Sequence, residues 1–568
     1  MVMNIMNDIA YQAQYICAAV DRMLAQINMD PLSPTYGCAH LAYWRDKTSD
    51  VADIRRQEAM FAFALLFTGD YPDSSWHESP ALLAAIQALL TFWNKSQYLD
   101  GSLDEWYKGE RAFAAAAFSA HAVARTLHLV AEVLPAHIVS ESKQGLEKTG
   151  RWLCRRNDLF KTNHQAVGVS ALAWAGWVLD NQDFFVESKN KLKSIVQAQT
   201  AEGWFPEVGH MDLGYTFLTV EYSLMAMERL NDFSLVQPFV RALEFACQFI
   251  HPDLTVGYEY GVCHNPYLSR IALMLVAPYS SIVRRICGAI SQCRGDFKHL
   301  RCVLADDLRL MRWAFQPLLA YDMYRFFSLS EEETFIVKMP ISEFIENSAF
   351  YPAANIFRIS VSKLCFIFAP CAGGLLRFFA PGVEFTEIGY VHRTKTGILT
   401  NKAYNRMLPT NCLEFSVQVT VPFSPVKQFM PSFLARVILR ITCSTAFTSS
   451  WTRKGIDIIR KRKGSALNQS STNLSTQSTS FLIRQVSWTD TEVHIKDTLR
   501  FATEISTDDL YFLQTNESGI ETTSLVSSVA GNIHKANEFT ILRTYCASYS
   551  WLLTSISVFT QEQCNVRD

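Results

Sequence analysis

Between about residues 5 and 330 the apolar positions recur at three- and four-residue spacing. The stretches 111–134, 165–179, 214–230 and 237–249 show it best, and all are rich in Ala, Leu and Met. That period matches a helix with one buried stripe. Turn-forming clusters at 70–73, 99–102, 181–183 and 251–253 separate the apolar stretches. The pattern predicts about ten to twelve helices. No repeat of fixed length runs through them, which argues against a TPR- or HEAT-type array. Successive helical hairpins of this size can close into an (α/α) toroid. After the run Ser328-Leu329-Ser330-Glu331-Glu332-Glu333 the texture changes to short β-branched segments, at 356–361, 365–368, 413–421, 481–486, 493–495, 510–513 and 539–543. Ser, Thr, Gly and Asn separate these segments, as in an antiparallel β-sandwich. The expected fold is therefore α+β and multidomain: an all-α toroid over 1–330, then a β-sandwich over 331–568. Residues 464–480, almost wholly Ser, Thr, Asn and Gln, predict a loop. The basic run Arg460-Lys461-Arg462-Lys463 before it reads first as a solvated loop or strand end and second as a docking patch for an anionic partner.

Composition narrows the function. With 49% apolar and 19% charged residues the chain is an ordinary globular one. Its net charge of −2 creates no field that would gather nucleic acid, so an anionic partner would need a local basic cluster. The fourteen cysteines form no CxxC pair and no zinc-spaced cluster, so they read as small buried hydrophobes in a reduced compartment, with no metal site. Residues 1–25 look like an amphipathic helix and not a signal peptide. No apolar run reaches the ~18 residues of a membrane span; 271–290 comes nearest and Arg284 and Arg285 interrupt it. The expectation is a cytoplasmic protein, or a periplasmic one if the natural start lies upstream. No glycine-rich phosphate loop or Ser-His-Asp signature calls for a nucleotide, a cofactor or serine-hydrolase chemistry.

Candidate chemistry gathers where loops enter helices. Asn163 and His164 precede the apolar run 166–179, and Thr162 or Asn163 is placed to cap that helix. The segment 202–215 is a glycine- and proline-punctuated loop carrying Trp204, Glu207, His210, Asp212 and Tyr215. A plain connection needs few such residues. Indole faces suit the C–H faces of sugars, while acids and histidine bind hydroxyls or move protons. A loop of similar make-up carries Asp104, Glu105 and Trp106, and another, at 258–267, carries His264. In a toroid such loops surround one cleft, which makes a glycan groove the natural expectation.

The domain order, the Asn163-His164 pair opening a helix, and Gly214-Tyr215 about fifty residues on resemble the heparinase II/III-like polysaccharide lyases and their alginate-lyase relatives. The motif resemblance spans about residues 160–225. Ala354-Asn355-Ile356-Phe357-Arg358-Ile359-Ser360 resembles the strand that opens that family's β domain. The resemblance implies β-elimination on an acidic, uronate-containing polysaccharide or oligosaccharide. Asn163 would hold the uronate carboxylate with His164 beside it, and Tyr215 would act as base, acid or both. A tyrosine base would need cationic neighbours to depress its pKa. The family also supplies a histidine from a His-x-His-x-Asp-like segment of its β domain. Here His392 is the one histidine of that neighbourhood, and it stands alone. Two other readings remain. One is a glycoside hydrolase pairing Asp104 or Glu105 with Glu207 or Asp212. The other is a non-catalytic glycan-binding or scaffold protein of polysaccharide assembly.

Overall fold

The computed structural model describes residues 8–251, 254–292, 306–330, 348–361, 364–380, 383–395, 397–402, 408, 410–426, 433–442, 448, 451, 455, 480–489, 492–516, 519–523, 535–546 and 553–560. Fourteen α-helices precede the first strand among these residues: α1 (Asp8–Leu24), α2 (Leu41–Trp44), α3 (Ala59–Thr68), α4 (Pro80–Lys95), α5 (Phe113–Val130), α6 (Ala136–Cys154), α7 (Thr162–Leu179), α8 (Gln182–Gln197), α9 (Leu213–Leu230), α10 (Val236–Cys247), α11 (Arg270–Val276), α12 (Ser281–Gln292), α13 (Asp307–Trp313) and α14 (Phe315–Ser330). The four clearest sequence expectations fall on α5, α7, α9 and α10, with ends shifted by a few residues.

The helices form two concentric rings. The inner ring runs α3, α5, α7, α9, α11 and α14, and α14 packs back on α3 to close it. Phe61 of α3 meets Phe315 of α14 with ring centroids 4.9 Å apart. Tyr71, just after α3, donates its hydroxyl to Asp322 at 2.6 Å. Inner helices such as α5 and α7 are buried on nearly every face, so their sequences are apolar or small all round, whereas outer helices such as α6 and α8 keep a polar face. Helix α5 is long and apolar enough to cross a membrane, but 83% of it is buried inside this ring. Since an outer helix or a loop returns the chain between successive inner helices, the inner helices all start at the same end of the ring.

The β half is two antiparallel sheets. One has the order β1 (Ala349–Tyr351), β2 (Ile356–Val361), β3 (Leu364–Ala369), β4 (Leu375–Ala380), β5 (Val383–Thr394), β12 (Leu510–Asn516), β13 (Gly519–Thr523), with β6 (Gly397–Thr400) and β9 (Ser424–Pro425) extending from β5. The other has the order β15 (Leu553–Thr560), β14 (Lys535–Cys546), β11 (Glu492–Ser506), β10 (Phe481–Trp488), β8 (Ser416–Pro422), β7 (Thr410–Leu413). The single strand expected at 413–421 is instead the β7–β8 hairpin, turning at Glu414 and Phe415. Strands β4 and β5 carry no clear alternation in sequence, because both faces of their sheet are covered. Phe357, Phe366 and Phe378 face the second sheet, while Ile356, Cys365, Ile367 and Phe379 join the helical core. The expected loop at 464–480 and the basic run before it lie outside the described residues, apart from Ser480.

Between the sheets sits a buried ionic network. Arg484 and Asp497 oppose each other across β10 and β11, joined by bonds of 2.8 and 2.7 Å. Arg543 of β14 reaches Asp497 at 2.7 Å and clamps Glu387 of β5 at 3.0 and 3.1 Å, bridging the sheets. The hydroxyls of Tyr390 and Tyr545 donate to Asp497 and Glu387. Burial alone would raise Asp497, but Arg484 and Arg543 hold its carboxyl well below the usual carboxylate range. A depressed carboxylate stabilises the fold above its unfolded pKa of about 3.9 and ceases to as pH falls. Asp497→Asn leaves two guanidinium groups short of charge, and should cost ~3–5 kcal/mol at neutral pH. In urea unfolding the difference from the parent should shrink below about pH 4.

Candidate functional site

The loops that precede the inner helices meet at one end of the ring. Two of them are zipped together. Val208 N–H donates to the Phe160 carbonyl at 2.8 Å, Thr162 Oγ1 to the Pro206 carbonyl at 2.5 Å, and Lys161 and Glu207 form a β-bridge. Glu207 and His210 exchange backbone hydrogen bonds at 2.7 and 3.0 Å, making a tight turn. Helix α9 then opens with Asp212 as its cap, accepting from Tyr215 N–H at 3.0 Å and from Cys263 N–H at 2.9 Å. Gly214 is required here, since a Cβ would lie 2.1 Å from the Asn265 carbonyl oxygen.

Asn163 is not the helix cap. Lys161 takes that position without a side-chain bond, and Asn163 sits inside the first turn of α7. Its side chain is buried, and neither Oδ1 nor Nδ2 makes a hydrogen bond of ordinary geometry among the described residues, although the amide lies close enough to the Glu207 carboxyl to act on it. Its backbone N–H points to a Glu207 carboxylate oxygen at 3.5 Å, and the other Glu207 oxygen is also buried without a partner. Burial pushes Glu207 up to about 8; Asn163 opposes this and Asp212 adds to it. At neutral pH Glu207 is therefore mainly a neutral acid. Buried amides and carboxyls are normally paired, so this concentration of orphaned polar atoms marks a place built for a further oxygen or N–H group.

His164 lies beside them with Nδ1 2.8 Å from Asp158 Oδ2, and burial holds its imidazole below the ordinary value although Asp158 pulls the other way. A neutral ring that donates Nδ1–H to Asp158 carries its lone pair on Nε2. Tyr215 is partly buried against the helical core. Burial, then Cys263, Glu207 and Asp212, raise its hydroxyl above the ordinary value, and Arg55 opposes them. The depressed pKa that a tyrosine base needs is thus absent, and Tyr215 stays protonated.

Arg55 gives no local signal in the sequence, since only folding brings it here. Its guanidinium lies 3.6 Å over the Phe118 ring, which stands T-shaped to His164. It is one of three arginines, with Arg56 and Arg312, set among Asp53, Glu58 and Glu105. Arg55 bonds Glu58 at 2.7 Å, and Arg312 bonds Asp53 at 2.8 Å and Glu105 at 2.9 Å. The basic cluster required for an anionic partner exists, but matched acids neutralise it. Asp158 stands six residues before His164 in the sequence, yet only the fold pairs the two.

Other expected residues have different roles. Trp204 is fully buried and donates Nε1–H to Glu202 at 3.0 Å, so it cannot stack on a sugar. Asp104 is spent on the Tyr98 hydroxyl at 2.6 Å and the backbone N–H groups of Gly109 and Arg111 at 2.7 and 2.8 Å. Asp212 is a cap, and Glu105 an ion-pair partner. Trp106 is 68% exposed and does offer an aromatic face. His264 is on an exposed turn with φ of 52°. His392 is not at this end at all. It packs edge-on against Phe501, centroids 5.1 Å apart, in the layer between the sheets, because its position on β5 shares a face with Tyr390. Among the described residues no group of three His, Cys, Asp or Glu side chains is placed to hold a metal ion.

The β half seals one flank of this end. Glu202, in the loop before α9, accepts from the Ala353 and Ala354 N–H groups at 2.6 and 2.9 Å. Arg377 of β4 pairs with Glu259, and Arg358 of β2 donates to the Gln248 carbonyl at 2.9 Å.

A helical toroid carrying a β-sandwich in this arrangement is the architecture of known polysaccharide lyases. The chain aligns with a Streptomyces coelicolor A3 chondroitin AC lyase in complex with chondroitin sulphate, at TM-score 0.55 and 9% identity over 89% of this chain and 68% of that one. It aligns with a Paenibacillus xanthan lyase at TM-score 0.52 and 11% identity, over 89% of this chain. It spans 46% of the xanthan lyase's length. No protein-family model and no curated protein matches the chain. At these identities the likeness is one of fold.

Holding Glu207 neutral has a consequence for stability. Its folded pKa of about 8 exceeds the unfolded value of about 4.3, so the folded state binds the extra proton and stability falls as pH rises between the two. Glu207→Gln should match the parent near pH 4 and be more stable by on the order of 3–4 kcal/mol at neutral pH, in thermal melts across that range.

Proposed function

We propose that the protein is a divergent relative of the heparinase II/III-like lyases, cleaving a uronate-containing polysaccharide by β-elimination. The observation that carries this reading is the orphaned Asn163 amide beside a carboxyl held neutral, flanked by His164 with its Asp158 partner and by a protonated Tyr215. Elimination needs the uronate carboxylate neutralised, so that the C5 proton can leave and charge can spread into the carboxyl group. An amide N–H and a protonated Glu207 can both donate to that carboxylate. The neutral His164 takes the C5 proton on Nε2, with Asp158 stabilising the imidazolium that forms. The C5–H electron pair becomes the C4–C5 double bond, the C4–O bond breaks, and the Tyr215 hydroxyl protonates the leaving oxygen. Substrate entry requires the zipped loops at 157–162 and 202–212 to part, and Trp106 offers a stacking face beside them. That the two structural neighbours described above are lyases, one of them in complex with chondroitin sulphate, supports an acidic glycan as the substrate.

A glycoside hydrolase needs two available carboxyl groups, and Asp104, Glu105 and Asp212 are already committed. Binding without turnover is the second reading, favoured by the position of His392 in the sandwich interior.

Ultraviolet absorbance of the C4–C5 double bond, followed over a panel of acidic polysaccharides, tests the proposal. Tyr215→Phe and His164→Ala are each expected to lower kcat at least ~100-fold. Parent activity should decline above about pH 8 as Glu207 ionises, and Glu207→Gln should keep its activity there. Binding of a glycan with no unsaturated product would establish the second reading.

A further inference from the structure

At the opposite end of the ring the inner helices finish, and a cavity of about 520 Å³ opens beside the last turns of α7 and α9. Trp177, Asp180, Gln182, Phe185, Lys189 and Arg229 line it. Asn163 and Trp177 stand fourteen positions apart on α7, so the two ends are separated by about 20 Å.

Cations and indoles alternate here. Arg125 lies 4.1 Å over the Trp174 ring, and Arg229 lies 4.7 Å over Trp174 and 4.3 Å over Trp177. Trp177, the outermost of these, is 51% exposed. Lys189 is paired with Asp232 at 3.1 Å, but Arg229 has no carboxylate partner among the described residues. Its Nε is buried with no hydrogen-bond acceptor, and so is the Nε1 of Trp174. A guanidinium that spends its faces on aromatic rings keeps its in-plane N–H donors for an oxyanion. Asp180 brings one carboxylate to the same cavity, so the anion-binding character rests on Arg229, whose unpaired donor calls for an acceptor-rich ligand. A half-exposed indole next to that donor fork suits the C–H face of a sugar ring, and the volume holds one or two rings.

We propose that this cavity is a second, non-catalytic saccharide site, taking an anionic sugar unit that stacks on Trp177 and places its carboxylate or sulfate on Arg229. It would hold an acidic chain on the toroid away from the loops that carry Asn163. The site does not depend on the lyase reading.

Isothermal titration calorimetry on the full chain tests it. The probes are a galacturonate tetrasaccharide, a tetrasaccharide of glucuronate and N-acetylglucosamine, and neutral cellotetraose. An acidic tetrasaccharide should bind the parent, and should bind Trp177→Ala and Arg229→Gln at least tenfold more weakly at this site. Trp177 is exposed, so its variant decides the matter if Arg229→Gln misfolds. The proposal is overturned if no probe binds at millimolar concentration or if Trp177→Ala binds as the parent does. Equal binding of cellotetraose would overturn the anionic assignment, and preferential binding of poly-glutamate would replace the saccharide with an acidic protein. Unsaturated product is a separate readout, so failure of the lyase reading and failure of this one are distinguishable.

Discussion

Closure of the inner ring is the constraint on which the molecule depends. Once α14 packs against α3, through Phe61 on Phe315 and Tyr71 on Asp322, six helices run in the same direction. Every loop entering an inner helix then falls at one end, whatever its separation in sequence. Arg55, Glu105, Asn163, Glu207 and Arg312 become neighbours for that reason alone. The same closure places the C-terminal turns of α7 and α9 together at the other end, around Trp177 and Arg229.

The two buried polar centres show how a partner decides ionisation. Asp497 and Glu207 are both deeply buried carboxyls, and burial penalises the charge of each. Asp497 has two guanidinium groups in contact and remains an anion. Glu207 has an amide beside it and a second acid, Asp212, within electrostatic reach, so it takes up a proton instead. The first arrangement ties the two sheets together. The second stores a hydrogen-bond donor and unsatisfied oxygens beneath two zipped loops, an arrangement that costs stability and is a reason to look for function there.

The β half contributes more than a lid. Its first sheet has two apolar faces, one belonging to the sandwich and one to the helical core. Glu202 and Arg377 add directional bonds across that junction. The covered second face is also why β4 and β5 were hard to read in the sequence, because alternation is visible only when one face of a sheet meets water.

Period and punctuation in the sequence determined the helical first half, the β second half, and the helices that became α5, α7, α9 and α10. They also picked out the pair Asn163-His164 and the loop ending at Tyr215, because polar residues at helix entrances are local facts. Tertiary structure decided everything that depends on which atoms meet. It sank Trp204 into the core, spent Asp104 and Asp212 on backbone N–H groups, and took His392 into the sandwich, since the side of the sheet a strand residue faces is set by its register. It also brought in Asp158 and Arg55. Composition along a loop says which groups are present, but burial and neighbours set their charge, and those follow from closure of the ring.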